Sequence, residues 1–155
     1  MTRLYGRALQ GDRLVEKVPH GHWKTTTFIC GLRYNGVTAP FTLDGAMDGP
    51  HFLGYVEQIL APTLKKGDIV FMDNVNTHRV DGVEEAIEAR GASVYYLPAY
   101  SPDFNPIEQL FSKLKAFLRK VKARTVEVLW KAIARFLNEI SKEQCRAFLA
   151  NSGYG

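Results

Sequence analysis

Two polar segments, joined by a predicted strand-helix-strand unit, constrain the fold of this chain most strongly. The first follows a short apolar run, residues 69–72, which ends on Asp73 and turns polar through His78. The second is a proline-rich loop from Leu97 to Glu108 that leads into a helix. Since 34 residues lie between Asp73 and Glu108, the chain can bring the second carboxylate back to the sheet edge where the first one stands. Two carboxylates at one edge are oxygen ligands suited to Mg²⁺ or Mn²⁺.

Hydrophobic patterning predicts an α/β domain with the order ββαβαβααα. Asn35-Gly36 is typical of a hairpin turn between two β-rich runs, and the run at Asp68–Asp73 is apolar on both faces, which predicts an interior strand. Capping boxes are predicted where Asp81 precedes Glu84 and where Ser141 precedes Gln144. The predicted elements are strands at Thr25–Tyr34, Val37–Leu43, Asp68–Asp73 and Ser93–Leu97, and helices at Pro50–Leu60, 81–91, from Pro106, Thr125–Ile140 and Ser141–Leu149. A further short strand is possible at Arg13–Val18.

Each candidate site residue also has a purely structural interpretation. With Asn105 as N-cap, Glu108 would stand three residues into the helix and could close a capping box. Asp73 and Asn74 are residue types that often end strands in turns. A histidine such as His78 is, taken alone, more often a loop or core residue. The joint occurrence at a strand's carboxyl end favours a ligand site.

These segments resemble the DDE transposases, most closely the mariner-type superfamily with its bacterial insertion-sequence branch. The resemblance is carried by Asp73-Asn74, by His78, and by the long loop Leu97-Pro98-x-Tyr100-Ser101-Pro102-x-x-Asn105-Pro106-Ile107-Glu108. Tyr5-Gly6-Arg7-Ala8 with Gly11, and Gly153-Tyr154, extend it over almost the whole chain.

The resemblance implies an RNase H-like mixed sheet with flanking helices and a two-metal site that binds Mg²⁺ or Mn²⁺. Asp73 and Glu108 would be the catalytic metal ligands, roughly 4–8 Å apart, since both must reach shared ions. Asn74, His78 and Asn105 would support them in the second coordination shell. The reaction implied is metal-dependent cleavage and transfer of DNA strands, with transposon ends and target DNA as partners.

The family uses three carboxylates, and its first Asp lies on a central strand before the Tyr-Gly-Arg segment. Here that strand would precede Met1, so residues 1–155 are expected to form a single catalytic domain that is incomplete at its N-terminus. Asp44 and Asp48 are possible replacements, but they follow the wrong strand for the family geometry. The chain is then either the C-terminal part of a transposase, active when joined to upstream sequence or in a homodimer, or an inactive remnant that only binds DNA or a transposase subunit.

Charge and composition agree with an intracellular DNA partner. The net charge is +4, while the helix from Pro106 and the residues after it carry a dense basic cluster that suits a polyanion; a solvated helix face is the alternative. Cys30 and Cys145 lie in apolar runs, as buried free thiols do. No membrane segment or signal peptide is predicted, which indicates an intracellular protein; the resemblance implies a cytoplasmic, nucleoid-associated one. The predicted DNA-binding residues are Lys113, Lys115, Arg119, Lys120, Lys122 and Arg124.

Overall fold

The computed structural model describes residues 25–99 and 101–154 of the chain. The possible strand at 13–18, the motif at 5–8 and Tyr100 lie outside these residues. The described elements follow the predicted order ββαβαβααα. They are β1 Thr26–Arg33, β2 Gly36–Asp44, α1 Gly49–Tyr55, β3 Ile69–Met72, α2 Val83–Glu88, β4 Ser93–Tyr96, α3 Ile107–Val121, α4 Val126–Glu139 and α5 Lys142–Asn151.

The first pair of strands is the predicted hairpin. β1 and β2 are antiparallel, and the turn places Gly36 at a φ of 151°. A bulge between Ile29 and Gly31 interrupts the register. Successive residues of β1 face opposite sides, so Cys30 packs with the α3–α4 layer, whereas Ile29 packs with the α1–α2 layer.

The second pair of strands is parallel, as a strand-helix-strand unit requires. β3 pairs with β4 from Ile69↔Ser93 to Met72↔Tyr96, and α2 is the connecting helix. Among the described residues, β3 has no second strand partner, and neither β3 nor β4 pairs with β1 or β2. The expected interior position of β3 is therefore wrong for this part of the chain. Ile69 and Phe71 are 55% and 46% exposed. Tyr95, opposite Phe71 in the parallel pair, is 57% exposed, so this face of the β3–β4 pair is largely uncovered by the described residues.

Two hydrophobic clusters stabilise these small sheets from opposite sides. One is centred on α1, α2 and the turn that follows α1, and the other on α3 and α4 against β1. α3 contributes Leu110, Leu114 and Leu118 to the second cluster, at intervals of four residues that form one stripe of the helix. Layers of helices on both faces of strands give the α/β architecture expected from the sequence.

Two helix boundaries differ from the prediction, whereas the predicted capping box of α5 is confirmed. The helix expected at Pro50–Leu60 is α-helical only to Tyr55, and continues as a π-helical turn over Val56–Leu60. α2 begins one residue later than expected, and Glu85 rather than Glu84 accepts the capping hydrogen bond, from the backbone N–H of Gly82. α5 has the predicted capping box, in which Ser141 and Gln144 bond to each other's backbone N–H.

Candidate active site

An open cleft of about 410 Å³ lies between β1 and β3. The whole of β3 and most of β1 line it, so two strands that do not pair with each other form its walls. Its other walls come from α1, the start of α3 and the end of α5. Four residues that the sequence singled out are among its lining: Asp73, His78, Asn105 and Glu108.

Asp73 immediately follows β3, and its carboxylate is held on one side only. The side chain is 43% exposed, and its Oδ1 atom faces Nδ1 of His78 at ion-pair range. That oxygen is nevertheless buried and receives no hydrogen bond of acceptable geometry among the described residues. Since a buried carboxylate oxygen without a donor costs free energy, an N–H at His78 Nδ1 or a bound cation would be a partner for it.

His78 is fixed in place by three separate groups. Its ring stacks on Phe52 of α1, with ring centroids 4.3 Å apart and planes inclined by 29°. Its Nδ1 also lies 3.4 Å from the backbone oxygen of Asp73. The hydroxyl of Tyr96 donates to the backbone oxygen of His78 at 3.1 Å. The imidazole is therefore held beside Asp73 by Phe52 of α1, and the backbone of His78 by Tyr96 of β4.

α1 fits closely against the loop that carries His78. A Cβ atom at Gly49 would lie 2.6 Å from Cγ2 of Val80, and one at Gly82 would lie 3.1 Å from Cδ1 of Leu53. Gly82 also has a φ of 96°, which side chains other than glycine rarely adopt. These close contacts fix the position of the loop relative to α1.

Glu108 lies in the first turn of α3 and is exposed. No side chain caps this helix, so the capping interpretation of Glu108 and of Asn105 is wrong. The contact between these two residues is a backbone one, in which the Glu108 N–H donates to the Asn105 carbonyl at 3.1 Å. The Glu108 carboxylate thus lines the cleft from the first turn of α3, where a negative charge also interacts favourably with the helix dipole.

The end of α5 anchors the loop that precedes Glu108. Tyr154 donates its hydroxyl hydrogen to the backbone oxygen of Phe104 at 2.9 Å, and its ring lies 4.9 Å from that of Phe71. Gln109 donates to the Phe148 carbonyl and to the Ser152 hydroxyl, both at 3.2 Å. Sequence reasoning assigned no role to Gln109 and placed Phe52 only in the buried stripe of its helix. Only the resemblance at Gly153-Tyr154 pointed to this end of the chain.

The remaining predicted residues are not among those that line the cleft. Asn74 is exposed and is not among the residues that line it. Asp44 and Asp48 are also absent from its lining. Asp48 instead caps α1, where its side chain accepts a hydrogen bond from the His51 N–H at 2.9 Å. This hydrogen bond lowers the pKa of the Asp48 carboxyl. All six predicted DNA-binding residues, Lys113, Lys115, Arg119, Lys120, Lys122 and Arg124, are exposed.

The donor set at the cleft partly fits a divalent metal. Asp73, Glu108 and Asn105 offer the oxygen atoms that Mg²⁺ and Mn²⁺ prefer, and the unsatisfied Oδ1 of Asp73 is consistent with a cation there. Within residues 25–99 and 101–154, however, no three acidic, histidine or cysteine side chains come together as a metal site. The separation of the two carboxylates stays a prediction.

No helix in this part of the chain has the length and apolarity needed to cross a bilayer.

Comparisons with known proteins agree on one family. A family model described as DDE superfamily endonuclease matches residues 1–129, whereas a search of curated proteins gave no match. The Mos1 strand transfer complex is 18% identical with a TM-score of 0.80, over 97% of this chain and 47% of that one. The Mos1 mariner paired end complex with Mn is 17% identical with a TM-score of 0.76, over 98% and 48%. The chain therefore spans about half the length of these two transposase chains.

The isolated catalytic domain of Mos1 mariner transposase gives a similar result. It is 16% identical with a TM-score of 0.70, over 83% of this chain and 74% of that domain. At such low identity the likeness concerns the fold, and it confirms the expected RNase H-like α/β fold.

Proposed function

The chain belongs to the DDE superfamily endonucleases, and from that premise we propose that it is the C-terminal catalytic part of a DNA transposase. Its reaction would be metal-dependent cleavage and transfer of DNA strands. The observation that carries the proposal is that Asp73 and Glu108, from different elements, line the same cleft, where the buried Asp73 oxygen faces His78 and has no hydrogen bond of acceptable geometry among the described residues. The DNA partners would be transposon ends and target DNA, in the bacterial cytoplasm at the nucleoid.

Each residue has a distinct task in this proposal. Asp73 and Glu108 would bind Mg²⁺ or Mn²⁺, and His78 would hold the Asp73 carboxylate in one orientation. When bound, the ions supply charge stabilisation for a phosphodiester undergoing in-line displacement and acidify the attacking hydroxyl. Asn105, at the cleft beside Glu108, and Asn74, at the end of β3, would support these ligands through hydrogen bonds.

We further propose that the complete sheet contains one more strand, between β1 and β3, which carries the third carboxylate. Both strands present an edge without a partner among the described residues, and the cleft separates them. The exposed Ile69 and Phe71 lie on the wall that such a strand would approach. Strand addition to open edges is a common binding mode, and the strand would come from sequence upstream of the Tyr5 motif or from a second subunit.

A second candidate function is DNA binding without cleavage. It is favoured by the absence of a cluster of three metal-ligating side chains in the region that the structure describes. A chain that keeps two of three ligands would retain its basic surface and its fold while losing the reaction. The protein would then bind DNA or a transposase subunit as an inactive remnant.

A cleavage assay distinguishes the two functions. The 155-residue chain is expected not to cut or join DNA with Mg²⁺ or Mn²⁺. The chain extended upstream by the encoded sequence is expected to cut, and Asp73→Ala or Glu108→Ala should each abolish this activity. Asp44→Ala is the matched control, since this carboxylate lies outside the cleft, and it should leave cleavage unchanged.

Two results would contradict the catalytic proposal. One is cleavage by the extended protein that survives Asp73→Ala. The other is an extended protein that folds and binds DNA but remains inactive with both metals; that result would support the remnant. Cleavage by the isolated chain that depends on Asp73 would instead disprove the additional strand as the source of the third ligand.

A further inference from the structure

Tyr154 contacts both segments that carry the candidate metal ligands. Its ring lies 4.9 Å from that of Phe71 on β3, the strand that Asp73 directly follows. Its hydroxyl donates to the backbone oxygen of Phe104 at 2.9 Å, four residues before Glu108. No backbone hydrogen bond among the described residues joins β3 to α3 or to the loop before it. Tyr154 therefore connects two segments that the backbone leaves separate.

The end of α5 fixes the position of Tyr154 itself. The Tyr154 N–H donates to the Leu149 carbonyl and the Gly153 N–H to the Ala150 carbonyl, both at 3.0 Å. These two bonds form a Schellman motif, which requires a left-handed residue where Gly153 has a φ of 88°. Leu149 and Tyr154 both line the cleft, at the two positions that often make a hydrophobic contact in this motif. The motif thus directs the last described residue of the chain to the cleft.

α5 is in turn bonded to the residue that follows Glu108. Gln109 donates to the hydroxyl of Ser152 at 3.2 Å, and the Asn151 side chain donates to Oε1 of Gln109 at 3.2 Å. Ser152 is buried, so water competes little for the first of these bonds. The end of α5 consequently holds α3 just after the candidate ligand, while Tyr154 holds the loop just before it.

The Tyr154 hydroxyl is the long-range anchor of this loop. The Phe104 side chain is 55% exposed, so burial of its ring does not fix the loop. Other hydrogen bonds of residues 101–105 with described residues are local, such as that from Ser101 Oγ to the Ala99 carbonyl and that from the Phe104 N–H to the Ser101 carbonyl. Removal of the one hydroxyl should therefore release the loop and leave the hydrophobic clusters intact.

We propose that Tyr154 is a positioning residue for the candidate metal site. It fixes the loop before Glu108 against the strand that leads to Asp73, so that both carboxylates can contact the same divalent ion. The inference rests on the proposed function, which takes Asp73 and Glu108 as the ligands, and adds the residue that sets their relative position. Tyr154 acts through these ligands and does not itself contact the ion.

The test measures Mn²⁺ binding by the 155-residue chain rather than its activity. Mn²⁺ is paramagnetic and broadens the NMR signals of nearby backbone N–H groups. Asn74 and Gln109 directly follow the two ligands, so their signals report an ion at Asp73 and at Glu108. Asp73→Ala should abolish the broadening at both positions, which identifies the site that is being measured.

Two matched variants each remove one hydroxyl from a ring beside Phe71. Tyr154→Phe keeps the ring and loses only the hydrogen bond to the loop. Tyr95→Phe is the control, because the Tyr95 ring lies 6.0 Å from that of Phe71 and the residue is 57% exposed. Tyr154→Phe should raise the Kd for Mn²⁺ about 2- to 10-fold, the effect of one net hydrogen bond, and should reduce the broadening at Gln109 relative to that at Asn74.

The control should change neither the Kd nor the ratio of the two broadenings. Thermal unfolding of both variants verifies that they fold, and a loss of stability alone would not alter this ratio. An unchanged Kd and ratio in Tyr154→Phe would overturn the inference and leave the proposed function intact, since the ion would still be shared. Equal losses in both variants would also overturn it, because they would show a general effect of hydroxyl groups on this face.

The unmodified chain separates failure of the inference from failure of the proposed function. Broadening beside Asp73 but not beside Glu108 would show that the carboxylates do not share an ion, which overturns the inference and keeps Asp73 as a ligand. No broadening at either position at millimolar Mn²⁺ would contradict the metal-dependent function, and the inference with it.

Discussion

The ion pair between Arg33 and Asp68 joins the two small sheets at one end of the cleft. Arg33 is the last residue of β1 and Asp68 directly precedes β3, with Nη2 and Oδ2 2.5 Å apart. Arg33 also donates to the Thr63 carbonyl at 3.2 Å, and the Lys65 N–H donates to the same Asp68 oxygen at 2.8 Å. We predict that this pair contributes more to stability than an ordinary surface pair does.

The expected magnitude follows from its burial. The two side chains are 30% and 25% exposed, so the pair is partly buried. Fully exposed pairs contribute about 0.2–1 kcal/mol to stability, and hydrogen bonds to charged groups contribute about 1.5–3 kcal/mol. A coupling free energy of about 1–2 kcal/mol is therefore expected. For a domain of this size, that corresponds to a change in Tm of roughly 2–8 °C.

The pair also predicts a pH dependence of definite sign. The Arg33 guanidinium, and then the Lys65 N–H, hold the pKa of the Asp68 carboxyl below its usual value. A carboxyl with a lowered pKa in the folded state stabilises the fold above its unfolded pKa of about 3.9. This contribution is lost as the pH falls through the folded pKa. The difference between wild type and Arg33→Met should therefore be constant above about pH 5 and diminish below about pH 4.

A double-mutant cycle measures the coupling. Arg33→Met, Asp68→Asn and the double variant are unfolded with urea at neutral and acidic pH; Asn at 68 keeps an acceptor for the Lys65 N–H. The control cycle uses Arg135→Met and Glu139→Gln, a pair 72% and 52% exposed, for which about 0.3–0.5 kcal/mol is expected. A coupling at Arg33–Asp68 no larger than the control, or one that does not change with pH, would refute the reasoning.

Three other outcomes are expected. Extending the chain upstream by the encoded sequence should raise the Tm, because a strand between β1 and β3 would satisfy open edges; equal, cooperative melting of both proteins would show that the sheet is already complete. Phe52→Leu should change the ring ¹⁵N shifts of His78 in NMR spectra, whereas Phe52→Tyr, which keeps an aromatic ring, should leave them as in the wild type. Identical His78 shifts in wild type and Phe52→Leu would show that the stack does not orient the imidazole. Leu110→Ala should lower the free energy of unfolding by about 2–5 kcal/mol since Leu110 is fully buried, whereas the exposed Lys115→Ala should change it by less than about 0.5 kcal/mol.

Local sequence signals predicted local structure well. The hairpin depends on Asn35-Gly36, and the start of α5 on Ser141 and Gln144; in both cases the interacting groups are within a few residues of one another. The parallel β3–β4 pair followed from the length of its connection. Such features need no knowledge of the rest of the fold.

Features that depend on distant residues were missed. The apolar pattern of β3 indicated burial on both faces, but a pattern does not reveal whether the neighbouring strand belongs to the described chain. The stack of Phe52 on His78 joins residues from separate elements, and Phe52 read only as a core residue of its helix. For the site, the motif residues Asp73, His78, Asn105 and Glu108 do line one cleft, whereas the anchoring of α3 by α5 through Gln109 has no local signal.

The reactivity of the two cysteines can be used to measure how often the helical layer separates from the sheet. Cys30 lies on β1 and Cys145, fully buried, on α5, and both are free thiols. Burial, and to a smaller extent the neighbouring Cys145, raise the pKa of the Cys30 thiol to about 12. Since only the thiolate reacts readily, alkylation of Cys30 must await separation of the helices from the sheet. The labelling rate of the unmodified protein would thus report how often this layer opens, and whether DNA or an added strand keeps it closed.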